Sequence, residues 1–171
     1  MDGSADRLHC SERDYVIHVI HPWCREVCGR LGLARVRYVA VSGTAVVLHG
    51  HIRPTLDLDI VISSAPGDVN GAMNTLMRAG FAPSIPLPMS AVTVMRMFDQ
   101  EQREVDLFVR YAVPFEELWA SSVIVQVEDT PVRIMSLDHL LKVKRINGRP
   151  HDLMDIDGLL ALQRGADGPN A

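Results

Sequence analysis

The run Thr55-Leu56-Asp57-Leu58-Asp59-Ile60-Val61-Ile62 constrains this chain more than any other segment. Its aliphatic and β-branched content predicts a strand over residues 56–62. Side chains alternate faces along a strand, so Asp57 and Asp59 share one face while Leu58, Ile60 and Ile62 line the other. Residues two apart are separated by roughly 6–7 Å, close enough for two carboxylates to converge on one cation or bridge two. Two negative charges beside an apolar run are unfavourable unless a cation compensates them. Oxygen ligands with no nearby Cys or His favour Mg²⁺ or Mn²⁺ over zinc. The plainer alternative is a solvent-facing strand that happens to carry two aspartates.

A third acid bears on that choice. Asp106 lies between Val105 and Leu107 in Glu104-Val105-Asp106-Leu107-Phe108-Val109, a β-like run in which a lone aspartate needs a partner. If this strand lies beside the first, Asp106 joins Asp57 and Asp59 in one cluster; otherwise it is a surface aspartate near a turn. Upstream, Val39-Ala40-Val41-Ser42-Gly43-Thr44-Ala45 reads as strand, small-residue turn and helix start. Such a turn presents backbone N–H groups suited to phosphate, with the Ser42 and Thr44 hydroxyls as added donors. Many strand-to-helix turns use Ser and Gly for geometry alone.

The remaining pattern alternates strands and helices. Apolar residues at helical spacing over 14–33 predict an amphipathic helix in which Pro22 ends, kinks or restarts the chain, and Gly32 supplies a stop. A strand is expected over 36–41, a short helix over 44–48 closed by His49-Gly50, and a helix over 67–78 stopped by Gly80. Residues 83–88 read as a proline-rich loop. Residues 92–98 and 104–110 form a hairpin with a five-residue connection, followed by a helical turn at 115–119 and strands over 123–127 and 132–135. Ser136 is placed to cap a helix over 137–147; Gly148 breaks it, and Pro150 opens another through 162. The fold class expected is α/β (α+β), a mixed sheet flanked by helices with a C-terminal helical pair over about 136–164. The domain organisation expected is one domain over 12–164, with disordered tails at 1–11 and 165–171.

Composition narrows the function classes. The 171 residues are 47% hydrophobic and 22% charged, enough for a packed core, with only 5% aromatic content to build it. A net charge of −4 argues against a nucleic-acid binder with a large phosphate footprint. No apolar run approaches a membrane span or a signal peptide, and three cysteines cannot form a disulfide framework, so a soluble cytoplasmic protein is expected.

Ser42-Gly43-x-Ala45, then Gly50-x-x-Arg53-x-Thr55-x-Asp57-x-Asp59-Ile60, then Asp106 in a later strand, together resemble the nucleotidyltransferase superfamily of DNA polymerase beta. The likeness is nearest to the small bacterial branch of AbiEii-type toxins and minimal or antibiotic-modifying nucleotidyltransferases. The segment Leu137-Asp138-x-Leu140-Leu141-x-x-Lys144, followed by Gly148-Arg149-Pro150-x-Asp152-Leu153-x-Asp155-Ile156, is similar to a stretch typical of that branch. The resemblance implies the minimal nucleotidyltransferase fold. It implies transfer of a nucleoside monophosphate from a nucleoside triphosphate to a hydroxyl acceptor (a tRNA or other RNA end, a protein or a small molecule), with release of pyrophosphate.

In that reading Asp57, Asp59 and Asp106 hold two Mg²⁺ or Mn²⁺ ions, and Asp106 or its ion activates the acceptor. Ser42, Gly43 and Thr44 cradle phosphate, with Arg53 and Lys144 as further nucleotide contacts, and a cognate antitoxin is a candidate partner. The family usually carries Gly-Gly or Gly-Ser where this chain has Ser42-Gly43. That departure favours the other reading, a non-catalytic relative that binds nucleotide or a partner protein, whereas the intact acids favour the enzyme.

Weaker signals also have structural readings. Arg53 serves phosphate or pairs with Asp57 or Asp59. Lys144, with Gly148 and Arg149, contacts the triphosphate or an RNA acceptor, or else is a solvated helix end. Asp152 and Asp155 are expected to pair with such cations. His18, His21, Cys24 and Cys28 are too spread along one helix to surround a zinc ion, and His49 and His51 flank a helix end.

Overall fold

The computed structural model describes residues 20–166. In chain order these are α1 (Pro22–Leu33), β1 (Tyr38–Ala40), α2 (Ser42–Leu48), β2 (Asp57–Ile62), α3 (Pro66–Arg78), β3 (Ala82–Pro83), β4 (Val94–Phe98), β5 (Glu104–Phe108), α4 (Phe115–Ser121), β6 (Val123–Val127), β7 (Thr130–Ile134), α5 (Leu137–Asn147) and α6 (Pro150–Ala166). The seven strands form one mixed sheet in the order β3-β4-β5-β2-β1-β7-β6. The class is α/β, with the expected helical pair at the C-terminal end.

The centre of the sheet is built from apolar runs. Leu58, Ile60 and Ile62 of β2 are fully buried, each contributing roughly 1.5–3 kcal/mol of apolar burial. On β5, Val105 and Leu107 are likewise buried. β2 runs parallel to β5 and antiparallel to β1, and β1 runs parallel to β7. Helix α1 packs against β7 and α3, while α2 packs against β2 and α5.

Helix boundaries follow the local chemistry. Pro22 starts α1 as a first-turn proline, so the described part of the predicted 14–33 helix is its second half. Residues 1–19 and 167–171, including the predicted tail at 1–11 and most of that at 165–171, lie outside the described residues. Gly165 itself is helical, because α6 continues beyond the predicted end at 162. Helix α2 starts at Ser42 rather than Thr44. The proline-rich segment is irregular over 84–88 as expected, and only its first residue, Pro83, joins Ala82 in a two-residue edge strand, β3, against Met97 and Phe98 of β4.

Ser136 stands at the N-cap of α5 as expected, but it supplies no side-chain cap. Its hydroxyl is 3.0 Å from His139 Nδ1, and His139 Nε2 is 2.9 Å from Glu117 on α4. Gly148, at φ +61°, ends α5 in the left-handed conformation that glycine adopts freely.

The C-terminal pair is joined by buried charge. Lys144 Nζ lies 3.0 Å from Asp152 and 2.7 Å from Asp155, and all three residues are almost fully buried. Arg149 Nε reaches Asp152 at 2.7 Å, and Arg53 Nε reaches Asp155 at 2.7 Å. Burial pushes the Asp152 carboxyl up, but hydrogen bonds from Arg149 and Lys144 and their charges outweigh it and hold the pKa at about 2.

Removing one member of such a network leaves buried charge uncompensated. Lys144→Met is expected to lower stability by about 3–5 kcal/mol in urea melts at pH 7. Because the folded pKa of Asp152 is depressed, its contribution is present above roughly pH 4 and lost as pH falls towards 2. Asp152→Asn should therefore flatten the stability decline over that window, measured by urea melts at successive pH values.

Candidate active site

A cleft of about 560 Å³ opens where the β1–α2 turn, the N-terminal half of β2, β5 and the α5–α6 junction meet. Asp57, Asp59 and Asp106 line it together with Ser42, Gly43, Arg53, Arg96, Tyr111, Asn147, Arg149 and His151. The parallel register of β2 on β5 sets Asp59 opposite Asp106 and Asp57 opposite Glu104, so the acids of both strands emerge on one face. Of the two placements the sequence leaves open for Asp106, this is the one beside the acidic pair.

The turn is tied to the same strand. Val41 N–H donates to the Asp59 carbonyl at 2.9 Å, which sets Ser42 and Gly43 beside the acidic pair. The Ser42 hydroxyl lies near enough to the Asp59 carboxylate to favour its charged form. Ser42 adopts φ +53°, a left-handed conformation that costs a non-glycine residue about 1–2 kcal/mol. A Cβ on Gly43 would run into Thr55 Oγ1, so only glycine lets the turn approach this closely. Thr55 Oγ1 in turn donates to Asp57 Oδ1 at 3.2 Å.

The charge pattern separates the acids. Asp106 is buried, and its two oxygens accept from Arg96 Nε at 3.0 Å and Nη2 at 2.9 Å. Arg96 Nε also lies 2.8 Å from Glu104. Arg53 is held by Asp155 and Arg149 by Asp152. Each cleft arginine therefore has a carboxylate partner, whereas among the described residues Asp57 accepts from the Thr55 hydroxyl and neither Asp57 nor Asp59 has an ion pair. Burial first, then the Asp57 charge, push the Asp59 carboxyl up to about 6; Asp106 and Glu104 add to this and the Ser42 hydroxyl opposes it.

Two crowded hard-oxygen donors beside a glycine-dependent turn fit one divalent cation of the Mg²⁺ class. Asp106 does not complete a cage as it stands. Among the described residues no three His, Cys, Asp or Glu side chains are grouped to hold a metal.

Three sequence-based assignments change. Lys144 does not reach the cleft: it is among the buried residues of α5, and Asp152 and Asp155 take its ammonium into the helix pair. Arg149, Asn147 and His151 from the α5–α6 junction line the cleft instead. Thr44 faces the interior, with its hydroxyl buried and unbonded, because the helix turns it away from the cleft. Arg53 lines the cleft but pairs with Asp155, not with Asp57 or Asp59.

Arg96 is a cleft residue to which the motif does not point. The signal for it was the hairpin: a five-residue connection pairs Phe98 with Glu104 and hence Arg96 with Asp106. Among the other histidines and the cysteines, His21 is exposed just before α1 and gives it no side-chain cap. His49 Nε2 lies 2.8 Å from the Met135 carbonyl, His51 packs on Gly158, and Cys24 and Cys28 are buried free thiols on α1; His18 lies outside the described residues.

Solved structures share this architecture. The TM1012 protein of Thermotoga maritima, ascribed to the nucleotidyltransferases, superposes with a TM-score of 0.60 at 14% identity, over 92% of this chain and 99% of its own. The fold is that of the nucleotidyltransferases. An antigenic nucleotidyltransferase-like protein from Paracoccidioides brasiliensis matches at TM-score 0.57 and 16% identity, over 87% of this chain and 77% of its own. The lincosamide antibiotic adenylyltransferase LnuA, in its lincomycin-bound form, matches at TM-score 0.53 and 16% identity, over 86% and 94%. No protein-family model and no curated sequence matches the chain. No helix among the described residues is long and apolar enough to cross a membrane.

Gly43→Ala is expected to force Thr55 and Arg53 aside and lower stability by about 1–3 kcal/mol, the usual cost of overpacking a tight contact. Thermal unfolding measures it, and an unchanged midpoint would mean the turn is looser than described.

Proposed function

We propose that this chain is a metal-dependent nucleotidyltransferase that moves a nucleoside monophosphate from a nucleoside triphosphate to a hydroxyl acceptor. The observation that carries the proposal is the two aspartates, Asp57 and Asp59, that form no ion pair among the described residues and lie beside the Ser42-Gly43 turn in a fold of this kind. The acceptor oxygen attacks the α-phosphorus as the bond to the β-phosphate oxygen breaks. Pyrophosphate leaves, and the hydroxyl proton passes to a cleft carboxylate.

Asp57 and Asp59 would hold Mg²⁺ or Mn²⁺, which when bound neutralises phosphate charge and orients the triphosphate. The Ser42 hydroxyl and the first backbone N–H groups of α2 would face phosphate oxygens. Arg149 and Arg53, each anchored by a buried aspartate, would add fixed positive charge without reorganisation on binding. Asp106 is expected to shape this site together with Arg96 rather than act alone, since both its oxygens are engaged.

ATP is the donor to test first, given that LnuA is an adenylyltransferase. Short RNA ends, proteins and small hydroxylated molecules are the acceptor classes, and a cognate antitoxin is the partner that the bacterial-branch resemblance suggests. The Arg96–Asp106 contact favours one second reading, a relative that binds nucleotide without turnover.

Incubation with labelled nucleotide, Mg²⁺ and acceptor panels separates these readings. Asp59→Asn should reduce label transfer roughly 10²–10³-fold, the loss typical of removing a key electrostatic contact, with the fold retained by circular dichroism. Nucleotide binding by equilibrium dialysis without transfer to any acceptor would favour the binder.

A further inference from the structure

We infer that Arg96 occupies the place of a second cation, so that the cleft takes one divalent ion, at Asp57 and Asp59, and uses the guanidinium as its other positive charge. The inference rests on the nucleotide-transfer reading but concerns how the site is charged rather than what it transfers.

The geometry is specific. Asp59 and Asp106 are register partners on neighbouring parallel strands, so an ion bridging them would lie between β2 and β5. Arg96 approaches Asp106 from β4, on the far side of β5, through a two-pronged contact at 3.0 and 2.9 Å. Glu104, two residues before Asp106 on β5, holds the same guanidinium at 2.8 Å.

A second divalent ion on Asp106 would have to break both prongs and stand beside a charge that arginine does not lose by deprotonation. Paired guanidinium–carboxylate forks are among the stronger hydrogen-bonded contacts, and Asp106 is buried enough to limit solvent screening. Among the described residues Asp57 and Asp59 form no ion pair, and the Arg96 and Arg149 charges act on Asp59 only through space, so the first ion has no guanidinium fork to displace there. The Arg96 side chain is itself half exposed, at 53%, so its head can meet a phosphate at the cleft while its fork stays on Asp106.

Titration of the full chain with Mn²⁺ alone, followed by the loss of the free-ion electron paramagnetic resonance signal and by calorimetry, tests this. Wild-type protein should bind one ion per chain, Asp57→Asn should abolish that site, and Asp106→Asn should leave the count at one. Arg96→Gln should raise the count to two, Arg96→Lys should hold it at one, and Arg96→Gln with Asp106→Asn should return it to one. Circular dichroism checks each fold; Arg96 is itself half exposed, and the Arg96→Gln with Asp106→Asn variant removes the carboxylate that Arg96→Gln alone leaves buried without its cation.

Two ions in the wild type, with Asp106→Asn removing one, would overturn the inference and leave nucleotide transfer standing. An unchanged count of one in Arg96→Gln would overturn it as well. No Mn²⁺ bound by any form would overturn both this inference and the metal-dependent reading.

Discussion

The parallel pairing of β2 with β5 decides what this cleft can do. Five consecutive residues of each strand are in register, from Asp57 opposite Glu104 to Val61 opposite Phe108. A slip of one residue would rotate Asp106 into the core and bring Val105 or Leu107 to the cleft. The buried Leu58, Ile60, Val105 and Leu107 oppose that slip, because each would lose its apolar surroundings at once. Core packing thus holds acidic side chains close together despite their mutual repulsion.

Charge compensation is arranged in two layers around this pairing. Behind the cleft, Lys144 joins Asp152 and Asp155, and these carboxylates hold Arg149 and Arg53 at the cleft wall. In front, Arg96 covers Asp106 and Glu104. The layers differ in burial. Lys144 is 3% exposed and belongs to the fold, whereas Arg96 is half exposed and belongs to the site. Among the described residues the Asp57–Asp59 pair has no ion pair of its own, so a cation gains most there. The left-handed Ser42 is held at the edge of this pair by the backbone bond from its neighbour Val41 to the Asp59 carbonyl, which helps offset its strain.

Much of this was legible in the chain itself. Period-two alternation placed Asp57 and Asp59 on one face, and the Ser-Gly break between strand and helix placed the turn. Pro22, Gly80, Gly148 and Pro150 marked helix boundaries through their backbone preferences. Arg96 was legible too, through hairpin register, yet an arginine on a strand carries no motif of its own. Lys144 misled because it sits in a basic run with Lys142 and Arg145, and charge in sequence does not reveal which helical face is buried. Thr44 misled for the same reason: a hydroxyl beside a phosphate-type turn is useful only if the helix turns it outward.

The sequence by itself determined the elements, the shared face of the two β2 aspartates and the need for something positive near them, since these follow from local periodicity and the cost of unpaired charge. Tertiary structure decided which cation goes where. Strand order brought Asp106 alongside, the β4–β5 hairpin delivered Arg96 to it, and the α5–α6 packing drew Lys144 inward while leaving Arg149 at the cleft. The physical reason is that ion pairing depends on distances of a few ångströms between residues far apart in the chain, which local pattern does not encode.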